Sequence, residues 1–166
     1  FQTFIKGERW DDIADDLTLA QADALWRDFG ALLKQIHSTA GEAFGWPHPG
    51  QQFARWSDLV QDQFERIYQK LMAQEFDTTD FLTAYSYLHS HLSWLDEVET
   101  PHLLHGDLWT FNLLVDCRQT PATIVGLLDA DRAWWGDPLA DWTMFIWAKG
   151  SGRTMAQAQD AFWQAY

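Results

Sequence analysis

Four polar residues in the segment 103–131 have the types and the spacing needed to bind a metal-bound phosphate. His105 and Asp107 follow a short apolar run, Asn112 precedes a second run, and Asp129 ends a third. Asp107 and Asn112 are five residues apart, and Asn112 and Asp129 are seventeen apart, about the length of a hairpin. Carboxylate and carboxamide oxygens are the hard ligands that Mg²⁺ prefers, and Mg²⁺ on phosphates takes few ligands from protein. These residues therefore predict a site for Mg²⁺ and phosphate.

Three predicted strands position these residues. The apolar runs are LLH at 103–105, NLLVD at 112–116 and TIVGLLD at 123–129, and the last is rich in β-branched residues. The segment CRQTPA between the last two has the composition of a turn and contains the single cysteine, Cys117. A strand, loop, strand, turn, strand order delivers the polar residues to one rim.

The same residues resemble a known family, that of aminoglycoside phosphotransferases and related small-molecule kinases. Its catalytic apparatus is similar to that of protein kinases, with an H-R-D-x-x-x-x-N loop and a downstream metal-binding Asp. The resemblance lies in the order and spacing of His105, Gly106, Asp107, Asn112, Leu128, Asp129, Gly136, Asp137, Pro138 and Asp141. It implies an α+β, mainly helical fold: a protein-kinase-like C-terminal lobe in which a small antiparallel β-hairpin carries the catalytic loop.

The resemblance also implies a role for each residue. Asp107 would orient the acceptor hydroxyl and take its proton, while Asn112 and Asp129 would ligate Mg²⁺ on the phosphates of ATP. His105 is a candidate general base by residue type, but the resemblance to kinases implies that it holds the loop backbone and Asp107 in place. Asp141 lies among apolar residues, and a buried carboxylate needs donors, which the family parallel places in the backbone of the catalytic loop.

Two charged residues near Asp129 keep open roles. Asp131 is either a group beside the metal or an ordinary loop acid. The loop between Asp107 and Asn112 contains no basic residue, although many kinase relatives have one near there. Charge neutralisation is therefore left to Mg²⁺, to a missing lobe or to Arg132.

The rest of the chain is expected to be mostly helical. Thr18 and Gln21 form a capping box before a helix at 19–37 that ends in His37, interpreted as a cap or core partner. A Gly/Pro-rich loop follows at 41–52 and contains His48, either exposed or in contact with substrate. Further helices are predicted at about 53–75, 80–96, 138–149 with Asp137 as N-cap, and from 154 onward.

We expect the chain to be the C-terminal lobe of such a kinase over residues 1–166. Residues 1–7 are predicted to form a short strand at 1–5 and a turn, and are a possible hinge remnant. The N-terminal ATP lobe is not recognisable, because there is no G-x-G-x-x-G and none of the four lysines lies in a V-A-I-K-like strand. The chain is therefore expected to be a fragment that is inactive alone.

The composition of the chain limits the classes of partner that it is expected to bind. The chain has 11 basic and 24 acidic residues, a net charge of -13, which disfavours nucleic acid and anionic membranes. A cationic small-molecule acceptor would be attracted, although an acidic surface alone explains the same count. No apolar run approaches a membrane span, nothing resembles a signal peptide, and a single cysteine fits a reducing cytoplasm.

Three classes of function remain open on the sequence alone. The first is transfer of the ATP γ-phosphoryl group to a hydroxyl of an aminoglycoside-like compound, amino sugar or amino alcohol. The second is a metal-dependent phosphoesterase, which is disfavoured because such sites recruit later histidines and all six histidines lie at or before His105. The third is a kinase-like interaction domain without catalysis, disfavoured by the retained Asp107, Asn112 and Asp129.

Overall fold

Helices dominate the computed structural model, which describes residues 4–47, 51–142 and 154–166. The strands form small antiparallel sheets, as the predicted α+β, mainly helical class requires. The strands are β1 (Glu8–Arg9), β2 (Phe44–Gly45), β3 (Gln52–Phe53), β4 (His102–Leu104), β5 (Leu113–Asp116), β6 (Thr123–Leu127) and β7 (Trp134–Gly136). The helices are α1 (Trp10–Ile13), α2 (Leu19–His37), α3 (Trp56–Ala73), α4 (Thr79–Ser90), α5 (Leu92–Leu95) and α6 (Thr154–Ala165).

The chain divides into two compact units. The first comprises residues 1–39, 103–133 and 138–166, and the second comprises 40–102 and 134–137. All of the residues singled out at 105–132, together with Asp141, belong to the first unit. Within the described residues, no helix combines the length and the apolar character needed to cross a membrane.

Helix α2 has the predicted bounds because its first turn is capped as the sequence indicates. Thr18 Oγ1 accepts a hydrogen bond from the Gln21 amide at 3.3 Å, and Gln21 Oε1 accepts one from the Thr18 amide at 3.0 Å. Two amides that a helix start leaves unpaired are thereby satisfied. The buried face of α2 consists of Ala22, Leu25, Trp26, Phe29, Gly30, Leu33 and His37.

Helix α6 packs against α2 and completes the core of the first unit. A Cβ at Gly30 would overlap the backbone carbonyl oxygen of Phe162, so glycine permits the close approach of the two helices. The Phe162 ring lies 5.6 Å from that of Phe29 and 5.1 Å from that of Trp142, both edge-on. Burying large aromatic rings in this way contributes strongly to a core. Trp10, Trp26 and Trp142 all belong to this core.

The predicted hairpin is present in the first unit. β5 and β6 pair antiparallel, from Leu113 opposite Leu127 to Asp116 opposite Thr123, and the segment 117–122 connects them. β1 adds to the other edge of β5, so the sheet order is β1-β5-β6. Of the strand predicted at 1–5, residues 4 and 5 are irregular, as are residues 6 and 7, and residues 1–3 lie outside the described part. The first described strand is Glu8–Arg9, because these two residues pair with β5.

The helix predicted at 80–96 is wrong as a single element, because it ends at Ser90 and resumes as α5. The carbonyl oxygen of Tyr87 accepts hydrogen bonds from the Ser90 hydroxyl at 2.7 Å and from His91 Nδ1 at 2.8 Å. Side chains thereby take an acceptor that a continuing helix offers to the His91 amide. That amide donates to Leu88 instead, at 2.9 Å, and the helix stops.

Two further predictions need correction or lie outside the described residues. The predicted loop at 41–52 contains the short strand β2 and runs into β3, which pairs antiparallel with β2, with Phe44 opposite Phe53. His48 is outside the described residues. The predicted helix at 138–149 starts at Pro138 as a 3-10 helix to Trp142, and its remainder is likewise outside them.

Candidate active site

Asn112 connects the loop 105–112, here called the site loop, to the end of β6. Its side-chain Nδ2 donates to the backbone oxygen of Asp107 at 2.8 Å, and its backbone oxygen accepts from the Leu128 amide at 2.8 Å. Asp107 and Asn112 are both buried. Asn112 therefore links the chain at Asp107 to the chain at Asp129, because Leu128 directly precedes Asp129.

Asp129 lies just past β6 with its carboxylate exposed. Its backbone is left-handed, with φ 65° and ψ 47°, which asparagine and aspartate tolerate better than other residues with a Cβ. This conformation turns the chain out of β6 and into a 3-10 helix, Ala130–Arg132. An exposed carboxylate results beside the Asn112–Leu128 link.

His105 braces the site loop with both ring nitrogens. It is buried, Nε2 lies 2.9 Å from the Leu128 carbonyl oxygen, and the Asp107 amide donates to Nδ1 at 3.3 Å. Since Nδ1 accepts, the proton of the neutral ring belongs on Nε2, where it is donated to Leu128. A ring held by both nitrogens is poorly placed to take a proton from an acceptor hydroxyl.

Asp141 accepts hydrogen bonds from the backbone of the site loop. The His105 amide donates to Oδ2 and the Gly106 amide to Oδ1, each at 2.8 Å. The carboxylate is buried, and these are the donors that its burial requires. Asp141 thereby holds the backbone that leads into Asp107.

Gly106 allows the site loop to pack against the turn after Asp129. Its φ of 80° is in the left-handed region, and a Cβ there would overlap the backbone carbonyl oxygen of Arg132. Glycine is therefore required twice, by conformation and by space. The chain segments that carry Asp107 and Asp129 are brought close by this contact.

The neighbouring charged residues Asp131 and Arg132 differ in their contacts with other residues. Arg132 Nη1 lies 3.7 Å from Asp107 Oδ2, although the Arg132 side chain is 67% exposed. Asp131 is exposed, and no hydrogen bond or ion pair joins it to another described residue. Of the two, the structure brings Arg132 to Asp107 and leaves Asp131 apart.

The oxygen donors fit Mg²⁺ on phosphates better than a metal enclosed by protein. Because Asn112 Nδ2 donates to Asp107, Oδ1 is the amide atom left to ligate a cation, and Asp129 adds a carboxylate. Among the described residues, no group of three or more His, Cys, Asp or Glu side chains could hold a metal ion. Few ligands from protein, all of them oxygen, match the preference of Mg²⁺ for phosphate and water.

Tyr166 was missed by sequence reasoning, and His37 was predicted only as a cap or core partner. His37 Nε2 lies 3.1 Å from Asp141 Oδ2, and Tyr166 Oη lies 2.9 Å from His37 Nδ1. His37, interpreted from the sequence as a cap or core partner, is a buried partner of Asp141 at the end of α2. The sequence signal for it was its place at the end of the predicted helix 19–37. No sequence signal indicated Tyr166, because 129 residues separate it from His37.

The order of the site residues is similar to that in protein kinases, where an Asp and an Asn of the catalytic loop precede a metal-binding Asp. The model of the phosphotransferase enzyme family matches residues 1–166, and the chain belongs to that family. Among curated protein sequences, none matches the chain.

Solved structures of aminoglycoside phosphotransferases share the fold. A thermostable mutant of APH(4)-Ia without ligand matches with a TM-score of 0.66 and 20% identity, over 98% of this chain and 55% of that one. The D198A form in ternary complex with ADP and hygromycin B matches with 0.65 and 20%, over 96% and 53%. The gentamicin complex of APH(2")-IIa matches with 0.59 and 21%, over 84% and 46%. The chain thus spans about half the length of these structures.

Proposed function

We propose that the complete protein carrying this chain transfers the γ-phosphoryl group of ATP to a hydroxyl of a small molecule. The observation that carries the proposal is the double link made by Asn112. Its side chain holds the backbone of Asp107, and its own backbone holds Leu128, beside Asp129. Asn112, itself a candidate metal ligand, thereby connects the candidate base to the chain beside the second candidate ligand, Asp129.

Asp107 is the residue that would orient the acceptor hydroxyl and take its proton. Its backbone is fixed by Asn112, by His105 and, through the Gly106 amide, by Asp141. Phosphoryl transfer needs little covalent chemistry from protein, so positioning and charge supply most of the catalysis. His105 and Asp141 support this positioning and do not touch the reacting atoms.

Asn112 and Asp129 would hold Mg²⁺, which would neutralise charge on the ATP phosphates. Arg132 is the cation nearest to Asp107 in the described residues, at 3.7 Å. Because the pair is long and the arginine is exposed, the ion pair can open when an acceptor hydroxyl approaches Asp107. Arg132 then becomes available to an anionic group. Asp131 stays a proposal as a group beside the metal.

The acceptor we propose is cationic, in the class of aminoglycosides, amino sugars or amino alcohols. The net charge of -13 favours approach of a cation and disfavours nucleic acid. Two of the similar structures are complexes with aminoglycosides, gentamicin in one and hygromycin B in the other. The hygromycin B complex also contains ADP, which supports a nucleotide as the donor.

The test is ATP-dependent phosphorylation by the complete protein over a panel of hydroxylated amines and sugars. Asp107→Asn keeps the size of the side chain and removes its basicity, so we expect kcat to fall about 10²- to 10⁴-fold with little change in folding. Asp160→Asn removes an exposed carboxylate of α6 and is the matched control. Equal activity of the unchanged protein and Asp107→Asn would contradict the assigned role.

A further inference from the structure

A chain of hydrogen bonds runs from the end of α6 to the site loop. Tyr166 Oη lies 2.9 Å from His37 Nδ1, and His37 Nε2 lies 3.1 Å from Asp141 Oδ2. Asp141 in turn accepts from the amides of His105 and Gly106. His37 and Asp141 are 5% and 2% exposed, so water is poorly placed to replace a lost bond.

From this chain we infer that Tyr166 is a positioning residue for phosphoryl transfer, acting through His37 and Asp141. The inference rests on the proposed function. Tyr166 does not touch the site loop itself in the described hydrogen bonds. Its hydroxyl donates to His37 Nδ1 and thereby holds the ring in the orientation in which Nε2 donates to Asp141.

The donors and acceptors on Tyr166, His37 and Asp141 decide which ring nitrogen of His37 carries the proton. A neutral imidazole has one N–H and one lone pair, and the partner of one nitrogen sets the role of the other. The Asp141 carboxylate only accepts, so the proton is on Nε2, and the lone pair on Nδ1 accepts the hydrogen bond from the Tyr166 hydroxyl. The other tautomer would direct a lone pair at that carboxylate.

A change at His37 affects the site loop because His37 and the loop backbone donate to the same Asp141 oxygen. Asp141 Oδ2 accepts from both His37 Nε2 and the His105 amide. A loss of the His37 donor changes the position and charge of the oxygen that holds His105. Asp107 follows two residues later and is bonded to the His105 ring through its own amide.

The test is Tyr166→Phe in the complete protein, because phenylalanine keeps the ring and removes only the hydroxyl. The ring of Tyr166 packs edge-on against Trp142 at 5.1 Å and against His37 at 5.7 Å. We expect kcat to fall about three- to tenfold, as for the loss of one buried hydrogen bond, and the KM for ATP and acceptor to stay within about twofold. The control Trp163→Phe changes a ring that packs on Trp142 and edge-on against Tyr166 itself, and it leaves the Tyr166 hydroxyl in place.

A spectroscopic measurement reads the His37 ring without any substrate. Long-range ¹H–¹⁵N spectra of histidine-labelled protein distinguish a protonated ring nitrogen from an unprotonated one. We expect a neutral His37 protonated on Nε2 in the unchanged protein. In Tyr166→Phe we expect Nε2 to stay protonated, the Nδ1 resonance to shift because its hydrogen bond is lost, and the amides of His105 and Gly106 to exchange faster.

Two results would overturn the inference. One is that the His37 ring nitrogen resonances, the amide exchange rates of His105 and Gly106, and kcat are all the same in Tyr166→Phe and the unchanged protein. The other is an equal loss of kcat in Trp163→Phe, which would assign the effect to aromatic packing. If the unchanged protein transfers no phosphoryl group, the proposed function fails, and the ring spectra and amide exchange alone decide the positioning by Tyr166.

Discussion

At the scale of single residues, Asp129 offers the cleanest test of metal binding. It is exposed and left-handed, and asparagine tolerates that backbone conformation. Asp129→Asn therefore removes one negative charge without a reason for the fold to change. We expect the Mg²⁺ concentration for half-maximal rate to rise at least about tenfold, because a charged oxygen ligand is lost. The measurement is rate against Mg²⁺ concentration, with the melting temperature taken in parallel.

The control for Asp129 is again Asp160→Asn, which removes an exposed carboxylate on α6. Both variants change the net charge by the same amount, so any general electrostatic effect is shared between them. A Mg²⁺ dependence that shifts equally in both variants would contradict direct ligation by Asp129.

Asp116 provides a test of stability against pH. Hydrogen bonds from the guanidinium and then the backbone amide of Arg118 hold the pKa of Asp116 well below its ordinary value. A carboxyl with a lowered folded-state pKa stabilises the fold above its unfolded pKa of about 4, and the stabilisation is lost as the pH falls toward the folded value. We expect Asp116→Asn to melt lower than the unchanged protein at neutral pH, with the difference shrinking below about pH 4. A difference in melting temperature that stays constant from neutral pH to acid would exclude this origin.

At the scale of elements, the site loop depends on a glycine. Gly106→Ala places a Cβ against the Arg132 carbonyl oxygen and in a left-handed conformation. We expect a loss of about 2 kcal/mol or more in the free energy of unfolding, and a kcat reduced more than about tenfold. The measurements are denaturant unfolding and steady-state kinetics of the complete protein.

Gly126→Ala in β6 is the matched control for Gly106. A Cβ there would meet the end of the Ile5 side chain at 3.2 Å, and that end can move. We expect its free energy of unfolding to change by less than about 1 kcal/mol. Equal effects of the two substitutions would mean that the packing of the site loop against the turn has no special importance.

The capped start of α2 gives a prediction for an element far along the chain from the site loop. Thr18→Ala removes the hydroxyl that accepts from the Gln21 amide. We expect a loss of about 1 kcal/mol in the free energy of unfolding, measured by denaturant titration. Since α2 carries His37, a small decrease in kcat would accompany partial fraying, whereas an unchanged stability would contradict the importance of the cap.

Elements with local signals were predictable, and elements set by distant contacts were not. The capping box and the helical period defined α2, and β-branched runs around a turn indicated β5 and β6. The break at His91 depends on which side chains reach the Tyr87 carbonyl, a detail that periodicity does not carry. β1 depends on its pairing with β5, which lies about a hundred residues away in the sequence.

The candidate site shows the same division. The types and order of Asp107, Asn112 and Asp129 were readable because they lie within one short segment. The donors to Asp141 were expected at the site loop through the resemblance, and they are the amides of His105 and Gly106. The Tyr166–His37 bond was out of reach, because nothing in either local sequence indicates the other residue.

At the scale of the whole molecule, the charge of -13 that this chain contributes predicts how salt acts on binding of the proposed cationic acceptor. Salt screens the attraction between an acidic protein and a cationic acceptor, with a Debye length of about 10 Å at about 0.1 M. We expect the KM of a cationic acceptor to rise severalfold between about 0.02 M and about 0.5 M salt, and the KM of a neutral polyol acceptor to stay nearly constant. The reverse pattern would exclude electrostatic attraction as a source of specificity.

Transfer of a phosphoryl group to an acceptor by the complete protein is tested most directly by the ratio of ADP formed to phosphorylated acceptor. The reaction is run in the presence of Mg²⁺, and the product is identified by mass spectrometry. We expect ADP to form only with acceptor, in a one-to-one ratio with a phosphate ester on its hydroxyl, and Asp107→Asn to suppress both. ADP and free phosphate released at the same rate with and without any acceptor would contradict phosphoryl transfer and favour a hydrolase.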